Sequence, residues 1–295
     1  MVEWGRHAGA AFAVGSWMSQ FSRRRFLAGT ATFAAVGLAT REAEAFQLEG
    51  VRVERQTFHL PGLHPNHDGM LIAQLSDIHV GPQTGEAAVR TAIKVANSYD
   101  PDLVVLTGDY LVHDKKGVGW MRDQLGGLQA PTIAVLGNHD HWVDPVGASN
   151  ALLHHGYAVL RNQHEWITLR GEPFTVIGID DLMTRHADPA KAFAGSRPGS
   201  RIVLAHVPRT AEQLATFDEA MVCLSGHTHG GQVHVPAITR VLMKAITHEP
   251  FERGRYQVGK VQLYVNRGVG LSGFPVRINS PPEMTLITLR AAPAV

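Results

Sequence analysis

The stretch "DLVVLTGD", residues 102–109, decides the fold. Nothing polar interrupts it between Asp102 and Thr107, so it lacks the alternation of a strand with one wet face. A short Leu/Val run closed by glycine reads as a strand covered on both sides, as in a sheet sandwiched between other layers. It ends in a carboxylate, Asp109. The same pattern recurs in both directions: "MLIAQLSD" (70–77), "TIAVLGNHD" (132–140), "FTVIGIDD" (174–181), "RIVLAHV" (201–207) and "MVCLSGH" (221–227). Between the first two runs, "EAAVRTAIKVANSY" (86–99) places Ala88, Ala92, Val95 and Ala96 on one helical face. Pro145 through His155 suits another helix. Further on, "RYQVGKVQLYVNRG" (255–268) predicts a hairpin turning at Gly259-Lys260, and "EMTLITL" (283–289) a last strand. With no internal repeat and no long linker, residues 46–295 are expected to form one α/β domain.

Composition narrows the class. Of 295 residues, 44% are apolar and 18% charged, which suits a globular chain and argues against disorder. A net charge of +1 points to neither nucleic acid nor an anionic surface, so no nucleic-acid binding is expected. The single cysteine, Cys223, sits inside an apolar run, excludes an intrachain disulfide and reads as a buried thiol.

The first 45 residues follow a different logic. Ser22-Arg23-Arg24-Arg25-Phe26-Leu27 precedes the Ala-, Gly- and Thr-rich stretch "LAGTATFAAVGLAT", and Ala43-Glu44-Ala45 closes it. Basic, apolar, then small residues is the order of a secretory signal. The arginine pair before Phe-Leu resembles the twin-arginine export signal, which implies the twin-arginine machinery as a partner. The expected outcome is cleavage after Ala45 and a periplasmic or envelope location. Retention would instead leave a membrane tether. Met18, four residues ahead of Ser22, offers an alternative start to Met1. Without residues 1–45 the chain carries 22 basic and 23 acidic residues, near neutrality.

In α/β sheets functional groups gather beyond the carboxyl ends of the strands. Here the apolar runs end in Asp77 and His79, Asp109, Asn138 and His139, His206, and His227 with His229. Asp77-Ile78-His79 and His227-Thr228-His229 each put two donors two residues apart, which point the same way if the chain is still extended there. Asp109 and Asn138 each follow glycine. Seven donors (Asp77, His79, Asp109, Asn138, His206, His227, His229) are too many for one ion and suit two, if one carboxylate bridges them. Oxygen and imidazole without thiolate favour Mn, Fe, Zn, Co or Ni.

These motifs resemble the calcineurin-like metallophosphoesterase family. The matching blocks are Asp77-x-His79, Gly108-Asp109, Gly137-Asn138-His139-Asp140, the lone His206 and Gly226-His227-x-His229, in the family's order. The resemblance implies a four-layer α/β/β/α sandwich of two mixed β-sheets flanked by helices. It implies that Asp77, His79 and His229 hold one divalent metal ion, that Asn138, His206 and His227 hold a second, and that Asp109 bridges them. A metal-bridging hydroxide would attack a phosphoester, and His139, oriented by Asp140, would protonate the leaving oxygen. The stretches "GHTHGGQ", "NRGVG" and "RINSPPEMTLITL", with the export signal, resemble a subgroup of exported bacterial phosphodiesterases. The expected substrate is a phosphodiester. A lipid-directed pyrophosphatase or phospholipase-like hydrolase, acting for instance on a nucleotide-linked acylglucosamine, is the alternative.

Other features carry weaker expectations. A metal-binding scaffold of the same fold is the non-enzyme alternative, yet a scaffold has no use for His139 and Asp140. His113 and His141 lie just past strand ends, within reach of substrate; His154 and His155 read as surface. Asp180-Asp181 suits a turn or the cleft wall. Arg277 and Asn279 suit either phosphate contact or closure of the fold. Residues 238–246 place Ile238, Val241, Leu242, Ala245 and Ile246 on one helical face, either core-facing or a lipid-contacting lid. The motifs carry no information on oligomeric state.

Overall fold

The computed structural model describes residues 45–46, 50–197, 199–235, 238–239, 241, 249–273 and 275–292. The expected leader (Ala45 apart) and most of the segment 238–246 lie outside the described residues. Residues 44–295 form one compact unit.

The strands are β1 (Ala45–Phe46), β2 (Arg52–Leu60), β3 (Met70–Leu75), β4 (Leu103–Thr107), β5 (Thr132–Val135), β6 (Ala158–Val159), β7 (Gln163–Leu169), β8 (Glu172–Ile179), β9 (Arg201–Ala205), β10 (Met221–Ser225), β11 (Gly254–Val258), β12 (Val261–Val265), β13 (Arg277–Ile278) and β14 (Glu283–Ala291). The helices are α1 (Glu86–Asn97), α2 (Gly117–Gln124), α3 (Asn138–Val143), α4 (Pro145–His154), α5 (Pro189–Phe193) and α6 (Thr210–Leu214). Among the described residues, one six-stranded sheet runs β2-β14-β3-β4-β5-β6 and another β11-β12-β10-β9-β8-β7. Both are mixed. In the first, β3 to β6 are parallel and β14 is antiparallel to β3; in the second, β12, β10, β9 and β8 are parallel and the edge strands antiparallel.

Successive residues of a strand face opposite ways, and in β4 both ways are dry. Leu103 and Val105 of β4 enter the core between the sheets, with Ile72, Val135, Val176, Leu204 and Leu224. Val104 and Leu106 enter a second core, with Val89 and Ile93 of α1 and Leu152 of α4. Cys223, buried, joins a third core on the far face of the second sheet, with Ala192 of α5 and Leu214 of α6; burial pushes its thiol up to about 12. Three apolar layers between four layers of structure give the α/β/β/α sandwich. Each fully buried Leu or Val contributes about 1.5–3 kcal/mol.

One run differs from the sequence expectation, and two strands lie where no apolar run announces them. The apolar run 132–140 is strand only to Val135; α3 begins at Asn138, because Gly137 is an extended N-cap and Asp140 accepts its N–H. Strand β2 has mostly polar or half-exposed residues and is held by parallel pairing with β14 along its whole length. Strand β7 is an edge whose burial is intermittent.

Candidate metal centre

The parallel strands β3, β4, β5, β9 and β10 end on one rim, and the loops leaving them carry the candidate residues. Local backbone is unusual there. Asp77, His79, Asp109, His227 and His229 all have positive φ, between 46° and 76°. Asp and His are among the non-glycine residues that enter this region most readily, and each such residue costs about 1–3 kcal/mol. Cross-loop bonds hold the strained turns: Asp77 N–H donates to Gly108 O (2.9 Å), His79 N–H to Asp109 O (3.0 Å) and Gly226 N–H to His206 O (3.0 Å). Two glycines permit the approach. A Cβ on Gly137 would overlap the Asp109 carboxylate, and one on Gly226 would overlap Ser76 and Asp77.

The structure brings all seven expected donors together. Asp77, His79 and His229 form one group and Asp109, His206 and His227 another; His79, Asp109 and His139 link them. His229 Nε2 lies 3.4 Å from Asp77 Oδ1 and 3.1 Å from His79 Nε2. Asp109 Oδ2 lies 3.6 Å from His79 Nε2 and 3.3 Å from His206 Nε2. Asn138 Oδ1 completes the second group, 3.2 Å from His206 Nε2. Asp77 accepts the His227 N–H on both oxygens and the Ser76 hydroxyl at 2.6 Å.

The donor set fits two divalent cations. His79 Nδ1 donates to Leu111 O and His206 Nδ1 to Thr107 O, both at 2.7 Å, so each Nε2 turns its ligating position to the centre. His227 Nδ1 is buried and has no hydrogen-bond partner, a nitrogen lone pair that a cation would satisfy. Burial lowers His79 to about 4 and His227 to about 3; it also takes His229 well below the ordinary range, helped by His79 and Arg277. These imidazoles are therefore neutral at pH 7. Burial drives Asp77 up to about 6. Burial opposes the charged forms of Asp109 and His206 as well, but their mutual attraction outweighs it. His206 rises to about 10 and Asp109 falls well below the carboxylate range. His206 Nε2 thus faces Asp109 and Asn138, oxygen atoms that favour positive charge there.

His139 lies beside this centre, half-buried. Its ring is 4.8 Å from that of His79 and 5.0 Å from exposed Trp142. Its Nδ1 donates to Val112 O (2.8 Å), and this carbonyl, not Asp140, orients the ring. The expected His139–Asp140 pairing is therefore corrected. Asp140 is fully buried and accepts backbone N–H groups from Asp109, Tyr110, Leu111 and Gly137 at 2.9–3.0 Å. It fastens the loops that carry Asp109 and Asn138. Burial and the Asp109 charge push it up to about 7 against the pull of those bonds.

The remaining candidates divide. His113 is exposed, 5.9 Å ring to ring from His139. His141 turns away and bonds Asp180 Oδ1 at 2.7 Å; Asp180 also takes Arg161. Asp181 closes a turn by accepting Thr184 N–H and hydroxyl. His154 is exposed, and His155 bonds Met121 O. Arg277 is buried behind His229 and closes the fold; Asn279 bonds His234 O. The carbonyls that orient His79, His139 and His206 have no signature in sequence, because any residue supplies one.

A sandwich of two mixed sheets carrying overlapping Asp/His groups at the strand ends defines a metal-dependent phosphoesterase architecture. The family model for calcineurin-like phosphoesterases matches residues 70–231, and the chain belongs to that family. It is similar to the uncharacterized metallophosphoesterase YkuE of Bacillus subtilis (strain 168), 30% identical over 93% of this chain and 99% of that protein. Phosphodiesterase YaeI of Escherichia coli (strain K12) is 32% identical over 91% of this chain and 99% of YaeI. UDP-2,3-diacylglucosamine pyrophosphatase LpxG of Chlamydia trachomatis is 28% identical over 80% of this chain and 88% of LpxG.

Proposed function

We propose that this chain is a phosphodiesterase that works with two divalent cations. One observation carries the reading: a single carboxylate oxygen, Asp109 Oδ2, stands between His79 and His206, so both donor groups meet on it. Asp77, His79 and His229 would hold one ion, Asn138, His206 and His227 the other, and Asp109 both. Bound there, the ions would supply Lewis-acid polarisation of the phosphoryl group and water of lowered pKa. Asn138 adds no negative charge, which keeps the centre attractive to an anion. His139, fixed through Nδ1, presents Nε2 as the atom that gives a proton to the leaving oxygen. Similarity to YaeI supports a diester substrate. The test is turnover of bis(p-nitrophenyl) phosphate and its monoester by metal-stripped protein resupplied with Mn²⁺ or Zn²⁺. The diester is expected to be cleaved faster, and only with metal.

A second reading, hydrolysis of a lipid-linked pyrophosphate, is supported by similarity to LpxG and by exposed Trp142 beside His139. Cleavage of a diacylated nucleotide-sugar well above that of a soluble diester would favour it.

We also infer export through the twin-arginine route to the periplasm or envelope, supported by Arg23-Arg24 before Phe26-Leu27 and by Ala43-Glu44-Ala45. N-terminal sequencing of protein from cell fractions tests this: a start at Phe46 means cleavage, and retention of residues 22–45 means a tether.

A further inference from the structure

Resting on that two-cation reading, we propose that Arg277 is a positioning residue for the cation site of Asp77, His79 and His229. Arg277 lies in β13, beyond the span 70–231 that the family model matches. It is 1% exposed, and among the described residues no carboxylate pairs with its guanidinium. Its nitrogens are spent on backbone instead. Nε donates to Gly270 O (3.2 Å). Nη1 donates to the carbonyls of Arg267 (3.0 Å), Ser280 (3.1 Å) and His229 (3.4 Å), and Nη2 to those of Gly268 (3.2 Å) and Gly270 (2.5 Å). Nη2 also faces His229 Nδ1 at 3.2 Å.

Burying an unpaired cation is costly, so the arrangement persists only where the bonds it makes are needed. What it holds is an irregular loop, with φ 52° at His229 and 59° at Gly230. Among the described residues a single isolated bridge, Val233 with Ile278, pairs the end of the loop. The carbonyl of His229 accepts from the Ser280 hydroxyl (2.8 Å), from Gln232 N–H (3.0 Å) and from Arg277 (3.4 Å); Ile278 N–H donates to Gln232 O and His234 N–H to Ile278 O. The planar fork of arginine reaches these carbonyls at once, which the single ammonium of lysine does not. The backbone of His229 is thereby held, with Nε2 of the ring toward Asp77 and His79. The other group is fastened mainly elsewhere: His206 Nδ1 donates to Thr107 O, and Asn138 opens α3 behind Gly137, whose N–H Asp140 accepts. Arg277 therefore governs one site of the two.

The experiment titrates the metal-stripped chain with Mn²⁺, reading binding by calorimetry and Mn–Mn coupling by electron paramagnetic resonance. The wild type takes up two ions. Arg277→Lys keeps the charge and loses the fork. One dissociation constant is expected to rise about 10–100-fold, the usual effect of removing a ligand's outer partner, while the other stays within about twofold. The coupled-pair spectrum gives way to that of an isolated ion. Ser280→Ala removes one bond to His229 O and shifts the same constant, less far, in a chain that keeps its core. Wild-type constants in both variants, or equal weakening at both sites, would overturn the proposal while leaving the two-cation reading intact. A wild type that binds no Mn²⁺ would sink both.

Discussion

Asp140 and Arg277 are both buried ionisable groups near the same centre, and neither has a side-chain ion pair among the described residues. Asp140 gathers backbone N–H groups from the loops after β4 and β5. Arg277 gathers backbone carbonyls from the loop after β10 and from residues 267–270 and 280. The difference is one of sign alone. Loops at a strand rim cannot pair with one another as strands do, yet their polar groups are buried and must be satisfied. Where the turns point N–H groups inward, an anion serves several at once; where they point carbonyls inward, a cation does. The irregular backbone that brings seven donors together is held from below by two ions of the chain's own.

The comparison breaks most completely at the residue common to both sides. Asp109→Asn removes the negative charge shared by the two donor groups. Metal uptake should fall below two ions per chain and diester turnover by on the order of 10³-fold, since Lewis-acid stabilisation is worth several kcal/mol. Elemental analysis with initial rates checks it; retention of two ions and full activity would remove Asp109 from its bridging role. His139→Ala touches neither clamp. It should keep both metals and slow hydrolysis of poor leaving groups by about 10²-fold or more, and that of p-nitrophenyl esters much less. Equal slowing on both kinds of substrate speaks against its role as acid.

Asp140→Asn sharpens the contrast. An amide in place of the carboxylate turns donors toward N–H donors, so chemical denaturation should show about 2–3 kcal/mol of lost stability. The loss should be local to the loops after β4 and β5, with amide exchange of Tyr110 and Leu111 quickened. Unchanged exchange there would mean the anion is not what holds those loops.

The gentlest probe is pH. His206 is raised to about 10 in the metal-free chain, so it is protonated at neutral pH and must shed that proton to bind a cation. Apparent affinity for Mn²⁺ should therefore rise about tenfold per pH unit between pH 7 and 9 and be lost toward acid. Calorimetry in buffers of different ionisation enthalpy would count about one proton released; none released contradicts the His206–Asp109 pairing.

Much of this was legible in the sequence because two strong regularities coincide. Continuous runs such as Leu103–Leu106 have to be strands dry on both faces, and the donors follow them directly. The gathering of Asp77, Asp109, His206 and His229 then follows from parallel strands ending on one rim. What stayed hidden depends on backbone. Asp140 stands next to His139 in sequence, which suggests a pair, yet neighbours on a helix's first turn point apart. Arg277 is 48 residues from His229 and meets it only because β13 folds back under the loop. Strand β2 shows little apolar pattern, since pairing with β14 rather than burial fixes it.

The most direct test of the two-cation centre is metal content measured together with turnover on one preparation of the chain. About two divalent ions per chain, activity abolished by exhaustive chelation and restored by resupplied Mn²⁺ or Zn²⁺, is the expected result. Undiminished phosphodiester hydrolysis by protein shown to be free of metal would contradict it.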